Sequence, residues 1–192
     1  LIYMKIAILI SGFFRNYKFC FESFEKIFNK YDADTYLHIS LNEKDEDQYY
    51  NKDIDIQEII NLYKPISCII EKEIKINNTN KYYINSERMW YKISKLNKLR
   101  KERKIKYDLI IRMRPDIYFL NEIKLEEFLN SSYINIPNIR GLSNIKKLDN
   151  PNDKYINDQF AIGTCELMNK YCSLYKNNNN FNFISEVLLY NY

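Results

Sequence analysis

Two arginines and an aspartate occupy alternate positions in the stretch of the chain that is richest in chemistry. Residues 107–119 contain an apolar, strand-like run that carries Arg112, Arg114 and Asp116, and Pro115 forces the chain out of regular structure there. Side chains alternate between the two faces of a strand. The two arginines and the aspartate are therefore predicted to share one charged face, opposite an apolar one.

Guanidinium groups on a covered sheet face need an anion, because an unpaired buried charge is costly. That anion is Asp116, a neighbouring carboxylate or a phosphate. A carboxylate at a strand end can hold Mg²⁺ or Mn²⁺ on a nucleotide diphosphate, and adjacent arginines suit the same diphosphate. The alternative is an internal network in which Asp116 neutralises Arg114, and residue chemistry alone leaves both interpretations open.

Other candidates follow other predicted strands, because ligands of open α/β sheets sit outside the carboxyl ends of the strands. Ser11 and Gly12 end the first strand, and Arg15 is placed to reach a phosphate there. Asp158 precedes a later apolar strand and is a candidate base for an acceptor hydroxyl. Taken singly, each segment favours a structural interpretation, namely a solvated turn arginine and a loop cap. The lone His38 is also interpreted as structural.

The elements that must position these residues alternate between strand and helix. Strands are predicted at residues 5–11, 34–40 and 66–70, and helices at residues 17–30, 55–63 and 86–104, the last capped by Ser86. Further along, we predict a helix at 122–129, strands at 133–136 and 159–162, and helices from residues 166 and 184. This pattern predicts an α/β fold with a Rossmann-like, mostly parallel central sheet and helices on both faces.

Size and composition limit the classes of protein to consider. The 192 residues are 46% hydrophobic, enough for one globular domain over residues 1–192. A formal net charge of +4 is too mild to imply nucleic acid by itself. The apolar run 6–10 is too short to span a bilayer, and nothing resembles a secretion signal. Because the sequence stops at Tyr192 within an apolar helical pattern, truncation at the C-terminus stays open.

Cysteine and histidine usage excludes several kinds of site. The four cysteines form no C-x-x-C pair, so reduced, buried thiols are predicted in place of a disulfide framework or a zinc site. With one histidine and no G-x-S-x-G motif, a histidine metal cage and a serine-hydrolase triad are both disfavoured.

Five motifs occur in an order that resembles a known family. They are Ser11-Gly12-x-x-Arg15-Asn16, Ala33-Asp34, Met89-x-Tyr91-Lys92-Ile93, Tyr107-Asp108-x-x-Ile111-Arg112-x-Arg114-Pro115-Asp116 and Asn157-Asp158-Gln159-Phe160-Ala161-Ile162-Gly163. Their order resembles the GT-A-type glycosyltransferases of bacterial and large-virus surface polysaccharide synthesis, including families linked to lipopolysaccharide. The resemblance covers nearly the whole chain, and its most specific part is the Arg-x-Arg-Pro-Asp strand.

The resemblance implies a cytoplasmic transferase that uses a nucleotide-sugar donor and a glycan or lipid-linked acceptor, with a divalent metal, Mn²⁺ or Mg²⁺, on the diphosphate. Asp116 would stand at the last aspartate of the Asp-x-Asp motif and hold the metal, although Arg114 replaces the earlier aspartate. Asp158 would activate the acceptor. The donor would be bound by Ser11, Gly12, Arg15, Tyr91, Lys92, Arg112 and Arg114.

Two other classes of function remain as alternatives. One is a catalytically degenerate domain that binds sugar nucleotides without turnover, because the motif departs from two carboxylates. The other is a basic helix that binds nucleic acid or the inner face of an anionic membrane. Of these options, a basic face that contacts only water is favoured over nucleic-acid binding. Its cations are Lys92, Lys95, Lys98, Arg100, Lys101, Arg103, Lys104 and Lys106.

Overall fold

Five strands form one sheet in the computed structural model, which describes residues 4–41, 54–137 and 159–177. The strands lie in the order β3-β2-β1-β4-β5, and only β5 runs antiparallel to its neighbour. The prediction of a mostly parallel central sheet is confirmed. The strands are β1 (Lys5–Ser11), β2 (Asp32–Leu41), β3 (Ser67–Lys72), β4 (Leu109–Met113) and β5 (Phe160–Thr164).

Helices cover both faces of this sheet, as predicted. They are α1 (Tyr17–Lys30), α2 (Ile56–Tyr63), α3 (Lys81–Glu102), α4 (Cys165–Tyr171) and α5 (Leu174–Asn177). Side chains of α1 and α2 pack in one core, on what we call the α1 face of the sheet. Side chains of α3, α4 and α5 pack in a second core, on the α3 face. Within the described ranges, no helix combines the length and the apolar character needed to cross a membrane.

The central strand β1 shows why its sequence is apolar at every position from Ile6 to Ile10. Ile6, Ile8 and Ile10 enter the core of the α1 face, while Ala7 and Leu9 enter the core of the α3 face. A parallel strand covered on both faces has no solvent side, so a continuous apolar run replaces the alternating pattern of a half-exposed strand. The apolar run at residues 6–10 is therefore the buried part of strand β1.

Several predicted boundaries differ from the structure. Helix α3 begins at Lys81, not at Ser86, because the side chain of Asn80 caps it by accepting a hydrogen bond from the Tyr82 backbone N–H at 3.0 Å. Ser86 is buried within the helix.

Downstream of β4, less regular structure forms than was predicted. The helix predicted over 122–129 is a single 3-10 turn, Leu125–Phe128, and the strand predicted over 133–136 is one bridge between Asn135 and Ile162. The helix predicted from residue 184 lies outside the described residues. All four cysteines are free thiols, as expected, but only Cys20 and Cys172 are buried.

The order of the strands creates a switch point between β1 and β4. The chain passes from β1 to β2 and β3 on one side, and then returns to place β4 on the other side of β1. Parallel sheets of this kind open a crevice at the carboxyl ends of the two strands where the direction reverses. Arg15 follows β1 and Asp116 follows β4, so both lie at this edge.

Gly12 lets the turns that follow β1 and β4 approach each other. Its φ is +137°, and a Cβ atom added there would lie 3.3 Å from Cδ of Pro115 and 3.4 Å from Cγ of Arg114. Both the backbone conformation and the space therefore require glycine.

Replacing Gly12 by alanine is expected to lower the free energy of unfolding by about 1 to 3 kcal/mol, because strained backbone and a close contact are added together. The matched control is Gly163→Ala, where no positive φ occurs and the new Cβ would meet side-chain atoms at 3.5 Å or more. The control is expected to stay within about 1 kcal/mol of the wild type. Urea unfolding measures both variants, and equal losses would contradict the role given to Gly12.

Candidate functional site

Arg15, Arg114 and Asp116 form a cluster at the switch point, which we call the arginine–aspartate cluster. Arg114 donates two hydrogen bonds to Asp116, from Nε to Oδ1 at 2.8 Å and from Nη2 to Oδ2 at 2.7 Å. Arg15 donates from Nη2 to the same Oδ2 at 3.1 Å. The Arg15 side chain is 44% exposed, against 25% for Arg114 and 14% for Asp116. The more weakly held arginine is thus also the more accessible one.

Local backbone geometry places Arg15 beside this carboxylate. Besides Gly12, the turn between β1 and α1 contains Asn16 at φ +51°, in the left-handed region that asparagine tolerates better than most residues. The Phe13 ring lies between two cations, with the Arg15 guanidinium 5.5 Å and the Lys92 ammonium 5.6 Å from its centroid. The Lys92 contact links this turn to α3, and the hydrogen bond from Arg15 to Asp116 links it to the turn that follows β4.

The cluster is suited to an anion. Its three described side chains are two guanidinium groups and one carboxylate, whose formal charges sum to +1. Guanidinium N–H groups pair with phosphate oxygens in the same forked geometry that Arg114 uses with Asp116. A polyanion that enters the crevice can therefore take hydrogen bonds from Arg15 without removing Arg114 from Asp116.

A divalent metal fits the described residues less well. Mg²⁺ and Mn²⁺ prefer several oxygen ligands, yet both oxygens of Asp116 already accept guanidinium hydrogen bonds. Within the described part of the chain, no group of three histidine, cysteine, aspartate or glutamate side chains is placed to hold a metal ion. Two guanidinium groups beside the carboxylate also repel a dication. Metal binding at Asp116 stays a prediction.

Arg112 has a different position from the one its spacing suggested. It is fully buried in β4 and pairs in register with Leu9, on the α3 face. Cys172 lies in the core of the same face, and burial raises its pKa to about 12. The positive charge of Arg112 acts to lower this pKa, as expected of a cation on the same face. The charge of Asp116 instead raises the pKa of Cys20, after burial, on the α1 face. The predicted alternation holds to Met113, where β4 ends, and does not extend to Asp116.

A second group of charged residues lies under α3, at the carboxyl ends of β2 and β3. His38 Nε2 is 2.9 Å from Oε1 of Glu71, and Lys92 forms an ion pair with Glu73. The side chain of Lys92 is only 6% exposed. Lys92 was predicted to face the donor, but the structure instead gives it a buried internal partner. Tyr91 is partly buried, with its ring 6.4 Å from His38 and 5.5 Å from Tyr175.

Burial and pairing shift the pKa values in this second group. Burial lowers the pKa of His38, and the hydrogen bond with Glu71 offsets part of that change. Burial likewise lowers the pKa of Lys92, which Glu73 partly restores. For Glu71 burial acts to raise the pKa, but hydrogen bonds with His38 and Tyr91 outweigh it, so the pKa is lowered. A neutral imidazole therefore faces an ionised Glu71.

Sequence reasoning missed Glu71 and Glu73. The signal that could have found them is the run Glu71-Lys72-Glu73, which leaves an apolar strand as the other candidate segments do. Ser11, predicted to bind the donor, is buried beside His38 in the sheet register. Its hydroxyl makes no hydrogen bond to any described residue. Asp158 lies outside the described residues, so its assignment as a base stays a prediction.

Half of the cations in the predicted basic helix have partners within the protein, and two of these four, Lys92 and Arg100, are buried. Lys92 is paired with Glu73, Lys95 lies 3.7 Å from Glu71, Lys98 lies 3.8 Å from Glu102, and Arg100 is buried with Asn97 and Asn169. Lys101, Arg103, Lys104 and Lys106 are exposed. These four precede β4, so they lie at the sheet edge opposite the cluster. An anionic membrane bound there would face away from the switch point.

Removal of the carboxylate that neutralises Lys92 should be strongly destabilising. Glu73→Ala is expected to lower the free energy of unfolding by about 3 to 5 kcal/mol, because it leaves a buried ammonium group without its partner. Glu102→Ala removes the partner of Lys98 in an exposed pair and is expected to cost less than about 1 kcal/mol. Chemical denaturation of both variants checks this, and a small loss for Glu73→Ala would contradict a buried structural pair.

The lowered pKa of His38 predicts a dependence of stability on pH. The unfolded chain binds a proton at higher pH than the folded protein does, so the stability present above about pH 6.5 is lost as the pH falls through the folded pKa. His38→Gln removes the only histidine. Its unfolding free energy should therefore fall less between pH 7.5 and 5.5 than that of the wild type. Parallel curves from urea titrations would exclude His38 as the cause.

Comparison with known proteins assigns no family to the chain. No protein-family model matches it, and no curated protein matches it. The resemblance to GT-A-type glycosyltransferases therefore rests on the motifs and on their order in the chain.

Proposed function

We propose that this protein is a glycosyltransferase that moves a sugar from a nucleotide-diphosphate donor to a glycan or lipid-linked acceptor, in the cytoplasm, in surface polysaccharide synthesis. The observation that carries the proposal is the convergence of Arg15 and Arg114 on Asp116 at the switch point of a mostly parallel sheet. Nucleotides bind at this position in open α/β sheets.

The donor diphosphate is the natural occupant of the crevice. It carries more negative charge than a single carboxylate, and its oxygens match the donor geometry of two guanidinium groups. Arg15 is the group that turns to the diphosphate, since its one hydrogen bond to Asp116 is longer than the two from Arg114. Asp116 keeps Arg114 oriented through the remaining two bonds.

The arginines also supply what the reaction needs at the leaving group. Transfer breaks the bond between the anomeric carbon and a diphosphate oxygen, and it forms a bond from that carbon to an acceptor oxygen. The departing diphosphate keeps the electron pair, so negative charge grows where Arg15 and Arg114 can stabilise it. The acceptor hydroxyl loses its proton to a base, for which Asp158 stays the candidate.

The second candidate function is a domain that binds sugar nucleotides without turnover. It is favoured by Arg114, which stands where the related motif has an aspartate and which neutralises Asp116. The two functions share the diphosphate site, so nucleotide binding supports both. Release of nucleoside diphosphate from a nucleotide sugar in the presence of an acceptor supports the transferase alone.

The test is thermal unfolding with UDP, GDP, CDP, dTDP and CMP, each in EDTA and in Mn²⁺. At least one diphosphate is expected to raise the midpoint temperature in EDTA, because ligands that bind only the native state stabilise it. Arg15→Gln should remove most of that shift. Arg103→Gln, which removes an exposed arginine at the opposite edge of the sheet, should keep it.

A further variant separates the two ways of holding the diphosphate. Asp116→Asn removes the carboxylate that competes with the ligand for Arg15, so the midpoint shift in EDTA is expected to persist or grow. If the wild type instead shows a midpoint shift only in Mn²⁺, and Asp116→Asn loses that shift, Asp116 is assigned to a metal. If no nucleotide stabilises the folded wild type under either condition, the proposed function is wrong.

A further inference from the structure

The segment that follows the arginine–aspartate cluster runs along α1 and is fixed to it at intervals. Ser23 Oγ accepts a hydrogen bond from the Phe119 backbone N–H at 3.0 Å. Further along, Lys30 Nζ donates to Oε1 of Glu122 at 2.7 Å. Between these attachments a cleft of about 180 Å³ opens, lined by side chains of α1 and of residues 118–123.

Exposed apolar side chains lie in and beside this cleft. Phe19 and Tyr118 stack with ring centroids 4.7 Å apart and an interplanar angle of 14°, although they are 60% and 44% exposed. Leu120, which lines the cleft, is 87% exposed. These are three of the six large hydrophobic side chains that are exposed among the described residues. A cluster of this kind on a surface indicates a binding site.

The charges around the cleft cancel. The lining holds the carboxylates of Glu22 and Glu122 and the ammonium groups of Lys26 and Lys30, and Lys30 is paired with Glu122. Such a rim offers strong hydrogen-bond donors and acceptors but favours neither an anion nor a cation. The cleft volume of about 180 Å³ is below the roughly 300 to 1,000 Å³ of pockets that enclose drug-sized ligands. The cleft therefore suits a small, neutral ligand with many polar groups.

We propose that this cleft binds a neutral sugar ring, with the ring of Tyr118 as its aromatic edge and the stacked ring of Phe19 supporting Tyr118 from beside the cleft. A pyranose has an apolar face of C–H groups that packs against an aromatic ring and a rim of hydroxyls that bond to polar side chains. Glu22, Lys26 and Asn121 supply such polar groups here. A protein or membrane partner would need a larger apolar area than a few side chains framed by four charges.

The cleft also adjoins the proposed donor site. Tyr118 is two residues beyond Asp116, a span of at most about 7 Å. Phe19 and Glu22 lie in the first two turns of α1, which Arg15 precedes. If the proposed transferase function holds, on which this step rests, the sugar in the cleft belongs to the glycan acceptor. The sugar site itself depends only on the cleft.

The test is saturation-transfer NMR on the wild type with methyl glycosides of hexoses and of N-acetylhexosamines. At least one glycoside is expected to receive saturation on its ring C–H protons. Tyr118→Ala should weaken that binding by about fivefold or more, the loss of one aromatic contact. Tyr118→Phe, which keeps the ring, should retain it. The control Tyr133→Ala should also retain it, because it removes a tyrosine that is 77% exposed outside the cleft.

The results separate this inference from the proposed function. If no glycoside receives saturation, or if Tyr118→Ala binds as the wild type does, the sugar site is wrong even when a nucleotide stabilises the protein. If a glycoside binds through Tyr118 while no nucleotide stabilises the protein, the sugar site stands and the transferase is wrong. Binding of the wild type to neutral phosphatidylcholine vesicles that is lost in Tyr118→Ala, with no glycoside binding, would replace the sugar by a lipid surface.

Discussion

The close approach of two turns at the carboxyl ends of β1 and β4 is the constraint on which the candidate site depends. The absence of a side chain at Gly12 lets the Pro115 ring and the Arg114 side chain pack against the backbone. This contact brings Arg15 within hydrogen-bond distance of Asp116, 101 residues further along the chain. Without it, Arg15 would be a solvated side chain on its own turn, while Arg114 and Asp116 would still pair within the turn that follows β4.

Helix α3 supports this arrangement from the other face of the sheet. Its buried Lys92 is neutralised by Glu73 and contacts the Phe13 ring, whose other cationic neighbour is Arg15. A buried ion pair seldom adds net stability compared with an apolar pair, because both charges must leave water. Its contribution here is positional, since it fixes the turn that carries Arg15. Lys92, a predicted donor contact, thus instead helps to hold the turn that carries Arg15.

The segment after β4 links the arginine–aspartate cluster to the cleft along α1. Asp116 closes the cluster, Tyr118 faces outward at the cleft, and Phe119 packs inward against Phe24 and Phe160. This short stretch without regular structure can point successive side chains outward and inward because it is anchored both to the core and to α1. The arginine–aspartate cluster and the cleft therefore lie next to each other on one continuous piece of chain, so the two proposed sites would hold a diphosphate and a sugar side by side.

The sequence alone determined the α/β class, the bounds of β1 and α1, and the candidates Gly12, Arg15, Arg114 and Asp116, because apolar periodicity and turn residues act locally. Tertiary structure decided which charges meet. It paired Lys92 with Glu73, set Arg112 on the α3 face, and brought Phe19 to Tyr118. These contacts join residues far apart in the chain, and the partner of a charge depends on strand order and on where each strand ends, which local patterns do not encode.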